Sequence, residues 1–497
     1  MSEEHPEEKM TDKKEPEEIV DSSLPSAEKV DSESLKTDEK PTTESQPTLT
    51  PKELKTRNKL FHLITIGSAA GQSFLFNFFG AFAVVIGASV ETVGFITSVR
   101  NLMSSLFQGT FGRLSDKYGR RRFLLLGFFL VISTIVIFLF INSIEMLIVV
   151  SVIQAFSLSI IIPVWSGAFG DVTKISERAR YIGRLTSIGT AISVTLMLSL
   201  SLFFELTDNV YTNWYIFNRH IQLEERDQYL VAFGLAAFNF LLCLIGSILL
   251  KETRVVKEKK AQPKMLLALK NKPFRKFLIV NSLFGLIMST LWPLIPFAHI
   301  DILEMSFSQI AIVTGIFSAS SSVAQFFGGK LGDQFGRKPL IILSRMLMFP
   351  IPLVMIGAIL QHNWLWLILS NIFGGASTGT LNVSQNAYVL DLAHRDQMGA
   401  YSGITQVAWG FATFTGSISA GFIVSSIVNR LGSCYLGTVL IYAFIIIAIL
   451  RLVASIDFFF IVESYPKELR DKIKLERKLS KNQMSKTQID SRENKAK

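Results

Sequence analysis

The chain carries apolar stretches that are too long for the core of a soluble protein. One of them begins at Phe123 and reads FLLLGFFLVISTIVIFLF. About 20 such residues in a helix cross the roughly 30 Å hydrocarbon core of a bilayer. A membrane β-barrel would instead need strands of about ten residues that alternate polar and apolar positions, and this stretch does not alternate. The sequence therefore predicts an all-α polytopic membrane protein.

Twelve stretches of this kind follow one another along the 497 residues. The composition agrees, because 49% of the residues are hydrophobic and only 18% are charged, which is unusual for a soluble chain. The predicted spans, numbered one to twelve, are residues 60–87, 92–112, 123–141, 146–170, 182–204, 230–250, 277–298, 307–331, 340–360, 364–390, 401–427 and 434–462.

Lys and Arg residues concentrate in every second link between the spans. They crowd the links after spans two, four, six and eight, whereas the alternate links carry few. Short links rich in Lys and Arg tend to stay in the cytoplasm, so we expect both termini there, in an integral protein of the plasma membrane. An anionic cytoplasmic leaflet would attract these cations and the basic C-terminal tail. The net charge of +10 therefore needs no nucleic acid as a partner.

The polar regions outside the spans complete the predicted organisation. Residues 1–57 are rich in Glu, Lys, Ser, Thr and Pro, a composition that predicts a disordered tail. The two cysteines, Cys243 and Cys434, lie in or beside spans and suggest neither a disulfide framework nor a metal site, and we expect no cofactor. The predicted parts are residues 1–57 as the cytoplasmic N-terminal tail, 58–250 as the first six-helix bundle, 251–276 as a basic cytoplasmic linker, 277–463 as the second bundle and 464–497 as a basic cytoplasmic tail.

A short motif occurs twice, each time after the second span of a group of six. It reads GRLSDKYGRR from residue 112 and GKLGDQFGRK from residue 329. The chain is thus predicted to use one six-span unit twice. The matching pairs are Gly112 with Gly329, Asp116 with Asp333, Gly119 with Gly336, Arg120 with Arg337, and Arg121 with Lys338.

This duplicated motif resembles the signature loop of the major facilitator superfamily, over about residues 58–463. The resemblance implies two six-helix bundles around a cavity that opens alternately to each side of the membrane. It implies a monomeric transporter of a small organic solute. A carrier-derived receptor or scaffold is the alternative, but both motifs keep the glycines and charges that motion requires. The spans contain no constellation of His, Cys and carboxylate for catalysis, so we do not expect an enzyme.

Two roles remain open for the motif. Gly119 and Gly336 permit the backbone angles of a tight turn, and Asp116 and Asp333 can face helix N-termini, whose dipoles favour an anion. Both loops could therefore act as a cytoplasmic latch that gates the cavity. Alternatively, the motif only fixes topology through its cations.

Polar side chains inside the spans are candidates for contact with the solute, because they are costly in a membrane unless they face a cavity or one another. In spans seven, ten and eleven they fall on one helix face, and the resemblance places spans one, four, seven and ten around the cavity. Hydrogen bonds between helices are the alternative for each. The candidates are Gln72, Asn77, Gln154 and Trp165 in the first half, and Asn281, Trp292, Asn371, Asn382, Gln385, Gln406 and Trp409 in the second.

Charged residues within the spans are few. Arg100 lies eight residues into span two, about 12 Å from its outer end. It could anchor an anionic group of the solute or organise a buried polar network, and the sequence leaves both open. Arg345, Arg451 and Asp457 lie nearer the cytoplasmic ends of their spans, where we expect their polar heads to snorkel to the surface. No Asp or Glu lies near mid-depth, so the sequence identifies no carboxylate for proton coupling.

Overall fold

The computed structural model describes residues 51–141, 143–172, 175–210, 214–216, 219–221, 225–252, 265–393 and 398–464. Three predicted polar regions lie mostly outside these ranges. They are the N-terminal tail up to residue 50, the linker from residue 253 to residue 264, and the C-terminal tail from residue 465.

Within those ranges the chain is almost wholly helical. A short hairpin of β1 (Trp214–Ile216) and β2 (Arg219–Ile221) is antiparallel and lies between the fifth and sixth helices. The helices are α1 (Pro51–Val85), α2 (Val90–Tyr118), α3 (Arg120–Phe138), α4 (Ile144–Val172), α5 (Ile175–Val210), α6 (Glu225–Leu249), α7 (Lys272–Ser289), α8 (Ile295–Phe297), α9 (Phe307–Phe335), α10 (Arg337–Leu347), α11 (Pro350–Gln361), α12 (Trp366–Asp391), α13 (Met398–Leu431) and α14 (Leu436–Ile456).

These helices form twelve membrane-crossing segments in the described part of the chain, because α7 with α8 and α10 with α11 each make one interrupted segment. Eight segments are long and apolar enough to cross a membrane by length and composition. The other four, α2, α5, α7 and α12, carry more of the polar residues. The predicted fold class, two related six-helix units in an all-α membrane protein, is confirmed. We call α1–α6 the N-terminal half and α7–α14 the C-terminal half.

Two predicted spans are not continuous helices, and prolines explain both corrections. Span nine divides between α10 and α11 because Pro350 and Pro352 have no N–H group to continue the helical hydrogen bonds. Span seven ends as a regular helix at Ser289, ahead of Pro293, and resumes at the short α8, which contains Pro296 and continues directly as a π-helix over Ala298–Ile302. Each break leaves carbonyl groups without a helical donor.

Arg451 on α14 donates a hydrogen bond to one carbonyl at each of the two breaks. Its Nη1 donates to the carbonyl of Met348 (3.1 Å) and its Nη2 donates to the carbonyl of Met288 (2.8 Å). Met348 would normally accept from residue 352, which is a proline, and Met288 lies in the last turn of α7. Helix C-termini carry partial negative charge, so two of them stabilise the guanidinium. Arg451 is only 2% exposed, and the expectation that it snorkels is wrong. Asp457 begins the short 3₁₀ turn after α14.

Candidate functional site

An aromatic plug joins the two halves at one end of the bundle. We call the end with the Gly119 and Gly336 loops the basic face and the other end the opposite face. Near the opposite face Phe307, at the start of α9, is fully buried. Its ring lies 4.5 Å from that of Phe78, 5.2 Å from Phe204 and 5.1 Å from Tyr229, all in the N-terminal half. An aromatic side chain of one half thus inserts into the other.

Hydrogen bonds and close helix contacts also join the two halves near the opposite face. The Ser201 hydroxyl on α5 donates to the Ser308 carbonyl on α9 (3.1 Å), and the Ser308 hydroxyl donates to the Ser201 carbonyl (3.0 Å). On the second seam, between α2 and α13, a Cβ added to Gly94 would lie 3.0 Å from the Cα of Gly421. The two halves are therefore in close contact along both seams near the opposite face.

The α2–α13 seam opens toward the basic face. Ser105 still touches Gly410, because a Cβ added to the glycine would clash with the serine Cβ. One turn further along α2, a Cβ on Gly109 would meet no atom of the described residues within 4 Å. On α13, Gln406 and Ser402 are exposed. The described contacts between α2 and α13 therefore lie nearer the opposite face, and the polar residues exposed toward the basic face are where the predicted cavity would open.

Arg345 on α10 lies inside the C-terminal half, fully buried. Its Nη2 donates to Asn281 Oδ1 on α7 (2.7 Å) and to Gln385 Oε1 on α12 (2.9 Å). The expectation that Arg345 snorkels is wrong, because α10 turns it toward amide acceptors from two neighbouring helices. Two predicted site residues, Asn281 and Gln385, are thereby brought together by a third that was assigned no site role.

Aromatic rings cover the same guanidinium. The Arg345 Cζ lies 4.3 Å from the ring centre of Phe284, 5.0 Å from that of Phe458 and 5.6 Å from that of Trp409. Such rings attract a cation through their negative faces. The Nε and Nη1 atoms of Arg345 are buried and have no hydrogen-bond partner within the described ranges, so part of its donor capacity is unused there.

The Arg345 cluster borders the cavity through two of its members. Gln385 and Trp409 are partly exposed, whereas Arg345 behind them is not. One turn away on the same helices, Asn382 and Gln406 are exposed. The polar faces predicted for α12 and α13 thus run from the cavity to the buried arginine.

Arg100 on α2 packs against α1. Its Cζ lies 4.3 Å from the ring centre of Phe79 and 5.1 Å from that of Phe76. Its Nη2 is buried and has no hydrogen-bond partner. Phe76 is 49% exposed, so it lies at the edge of the protein interior. These aromatic contacts fit both roles predicted for Arg100, an anchor for an anionic group of the solute and a member of a buried polar network.

Two further candidates of the N-terminal half, Gln154 and Trp165 on α4, are buried. In the part of the chain that the structure describes, the amide nitrogen and oxygen of Gln154 and the indole Nε1 of Trp165 have no hydrogen-bond partner. The Trp165 ring stacks on Phe61 of α1, with 4.9 Å between the ring centres. Both residues stay predicted contacts for the solute.

The remaining candidates bond within or between neighbouring helices. Gln72 donates to the Ser68 hydroxyl (2.8 Å), and Asn77 donates to the sulfur of Met197 (3.8 Å). Asn371 donates to a carbonyl of its own helix, and Trp292 lies in the break between α7 and α8. These contacts are compatible with helix packing or with a cavity wall, and the assignments stay predictions.

The first motif loop is fixed by two carboxylates. Gly119 has φ +99°, a conformation that favours glycine. The backbone N–H groups of Arg120 and Arg121 donate to the two oxygens of Glu252 (2.9 and 3.1 Å). The Arg120 Nε donates to Asp171 Oδ2 at the end of α4 (2.8 Å). An anion at a helix N-terminus is favourable, so Glu252 stabilises the start of α3.

The second motif loop repeats this arrangement. Gly336 has φ +100°. The backbone N–H groups of Arg337 and Lys338 donate to Glu463 (3.0 and 3.2 Å), and the Arg337 Nε donates to Asp391 Oδ2 (3.3 Å). Burial raises the pKa of the Asp391 carboxyl above its ordinary value, and Arg337 partly offsets this. Each loop is therefore bonded to helices of its own half.

Sequence reasoning missed Glu252 and Glu463. The signal was present, because an acidic residue follows the last helix of each six-span unit, in KET at 251–253 and in VES at 462–464. Gly112 lies near Pro163, 3.7 Å from an added Cβ. Gly329 lies in the last part of α9, and the side chains of Asp116 and Asp333 lie outside what the structure describes.

Comparisons with known proteins agree with this architecture. A family model described as Major Facilitator Superfamily matches residues 61–297 and 277–488. Quinolone resistance protein NorA of Staphylococcus aureus is 26% identical over 177 residues, which are 36% of this chain and 43% of NorA. The chain thus aligns with less than half the length of that relative.

Solved structures with a similar fold cover most of the chain. The crystal structure of the nucleoside transporter NupG has a TM-score of 0.61 and 16% identity, and covers 81% of this chain and 98% of NupG. A bacterial homolog of the human lysosomal transporter Spinster, in an inward-facing and unoccupied conformation, has a TM-score of 0.61 and 14% identity. It covers 83% of this chain and 97% of that structure.

Proposed function

Because the chain belongs to the Major Facilitator Superfamily, we propose that it is a transmembrane transporter that moves a small organic solute by alternating access. The observation that carries the proposal is the shape of the α2–α13 seam. Its helices touch at Gly94 and Gly421, and no atom lies within 4 Å of a Cβ at Gly109. Such a seam is what one of two alternately open states requires.

The contacts between the halves suit such a motion. At the opposite face they include two hydrogen bonds between Ser201 and Ser308 and the aromatic plug of Phe307. Contacts of this kind can be exchanged without unfolding a helix. The motif loops, in contrast, bond helices of the same half, so each half can move as a unit.

The comparisons support transport rather than a receptor or scaffold, because the relatives named above are transporters or a resistance protein of the same family. The names of those relatives differ, since one refers to quinolone resistance and another to nucleoside transport. The solute class must therefore come from this chain's own residues.

The remaining assignments follow from the charge distribution. We place the protein in the plasma membrane as a monomer, with the basic face and both termini in the cytoplasm and its cations against the anionic leaflet. In this orientation the cavity of the described state opens to the cytoplasm. Tags at both termini should then report the cytoplasmic side, and a tag within residues 207–226 should report the outside.

Cysteine cross-linking tests alternating access at the closed seam. Ser201→Cys and Ser308→Cys are combined in a background with Cys243→Ala and Cys434→Ser. Oxidation should join the two new thiols, lock the opposite face and abolish solute uptake into reconstituted vesicles. A reductant should restore uptake, and each single variant should be unaffected by oxidant. Full uptake by the cross-linked protein would contradict the proposed mechanism.

A matched pair across the open part of the seam serves as the control. Gly109→Cys with Gln406→Cys should not cross-link in protein held in the described state by the Ser201–Ser308 bridge. In protein that keeps Ser201 and Ser308, the same pair should cross-link under the same oxidant, because the halves are then free to close at the basic face.

A further inference from the structure

Resting on the transport function proposed above, we propose that the solute is a small organic anion whose carboxylate or phosphate group binds Arg345 of the C-terminal half, with Arg100 facing it from the N-terminal half. Some of the buried arginines are compensated by acceptors of the protein itself, and others are not.

Among the described side chains, three arginines lie within membrane-crossing segments and away from both faces: Arg100, Arg345 and Arg451. The Asp and Glu residues of the described ranges lie at helix ends or in links. Arg451 is compensated by the carbonyls at two helix breaks. Neither Arg100 nor Arg345 has a carboxylate partner among the described residues. The interior of the bundle therefore carries uncompensated positive charge.

The hydrogen bonds of Arg345 leave room for one more acceptor. Its Nη2 is bonded to Asn281 and Gln385, while Nε and Nη1 are buried and find no hydrogen-bond partner among the described residues. Buried donors are rarely left unsatisfied, and a guanidinium bonds more strongly to an anionic oxygen than to a neutral amide.

Gln385 provides the route to Arg345. It is partly exposed, and the exposed Asn382 lies one turn away on α12. The Gln385 amide therefore stands between the cavity and the guanidinium. When Gln385 rotates aside, an oxygen of the solute anion takes the position of the Gln385 amide oxygen beside Arg345. The guanidinium then donates to a charged acceptor instead of a neutral one.

Arg100 lies on the other side of the seam and nearer the opposite face. Trp409 packs beside Arg345, and the next residue, Gly410, touches Ser105 on α2. Arg100 precedes Ser105 by five residues, about 7.5 Å along the helix axis, and in this state its guanidinium packs on Phe76 and Phe79 of α1. The bound anion therefore reaches Arg100 only when the halves close around it, and Arg345 is the contact in the described state.

Matched solutes test the selectivity. Purified wild-type protein is unfolded thermally with carboxylic acids and their primary amides, and with phosphate monoesters and their parent alcohols. An anionic member should raise the unfolding temperature increasingly as its concentration exceeds its dissociation constant, and its neutral partner should need at least about tenfold higher concentration for the same rise. Equal effects of both members, or no effect of any anion, would overturn the proposal.

A built-in anion tests the site without weakening the fold. Gln385→Glu places a carboxylate on Arg345, so it should keep or raise the unfolding temperature while making the anion effect at least about tenfold weaker. Asn386→Asp adds the same charge to the exposed neighbouring position and should keep the wild-type response. An unchanged anion response in Gln385→Glu would place the anion elsewhere and overturn the assignment.

Vesicle uptake separates this proposal from the transport function. A protein that carries neutral solutes but neither binds nor carries anions would refute the anion site and leave transport standing. A protein that binds anions through Arg345 yet moves no solute would refute transport and leave the site standing.

Discussion

The Arg120 Nε and the Asp171 carboxylate lie 2.8 Å apart at the junction of the first motif loop with α4. The pair is largely buried, with side-chain exposures of 8% and 23%. The same relationship recurs between Arg337 and Asp391 in the second half, at 3.3 Å. Both pairs hold a loop to a helix of its own half, which makes each half a unit that can move against the other.

Asp171→Asn should therefore destabilise the protein more than loss of an exposed ion pair does. It leaves the buried Arg120 guanidinium without its anion, which costs roughly 1–3 kcal/mol. The control is Lys251→Ala, which removes the exposed pair with Glu53 and should change the unfolding temperature little. Thermal unfolding of both purified variants measures the difference, and equal small effects would show that the buried pair is not stabilising.

Glu252→Gln and Glu463→Gln should each weaken the start of one helix, α3 or α10. The amide keeps the shape of the carboxylate but loses the charge that favours a helix N-terminus, about 0.3–1 kcal/mol. Because the two sites are equivalent by the internal repeat, the two variants should lower the unfolding temperature by similar amounts. A loss in only one of them would mean that the repeat is not energetically symmetric.

Asp116→Asn and Asp333→Asn distinguish a latch from a topology signal. Both variants keep the cations of the loops, so insertion and membrane abundance should be unchanged. If the aspartates gate the cavity, uptake into vesicles should fall several-fold. Wild-type uptake at equal protein levels in both variants would reduce the loops to determinants of topology.

Phe307→Ala should shift the protein toward the state that is open at the opposite face. It removes the ring that packs on Phe78, Phe204 and Tyr229 and leaves the α9 backbone intact. The probe is a cysteine at position 406, exposed in the described state, whose alkylation should slow as the basic face closes. Leu360→Ala, an exposed apolar position on α11, should leave the rate unchanged.

Sequence patterns predicted the elements well because span length, loop charge and the repeated motif are properties of neighbouring residues. They placed the loops at Gly119 and Gly336, and they grouped Gln385 with Asn382 on one helix face. Helical periodicity identifies such a face without saying which helix covers it. Arg345 finds its amide acceptors 64 and 40 residues away, so its burial could not be read from position along its span.

The same limit applies to Glu252 and Glu463. Each carboxylate binds backbone groups more than 120 residues distant, and neither lies inside a recognised motif. The break in span nine, in contrast, is predictable from the sequence, because Pro350 and Pro352 lie close together within a single apolar stretch. Composition alone had favoured one continuous helix there.

Arg451 provides the last prediction, because its role as a bridge between two helix breaks depends on the shape of the guanidinium. Two nitrogens of one planar group reach the carbonyls of Met288 and Met348 at the same time. A lysine ammonium is a single point charge and cannot span both in this way.

Arg451→Lys should accordingly lower the unfolding temperature, and Arg451→Met should lower it further, because methionine keeps the volume but leaves both carbonyls unsatisfied, at about 1–3 kcal/mol each. Arg430→Met, at the end of α13 beyond the buried region, is the control for loss of one arginine. If Arg451→Met is as stable as the wild type, the guanidinium does not hold the breaks, and the interrupted segments must be stabilised by packing alone.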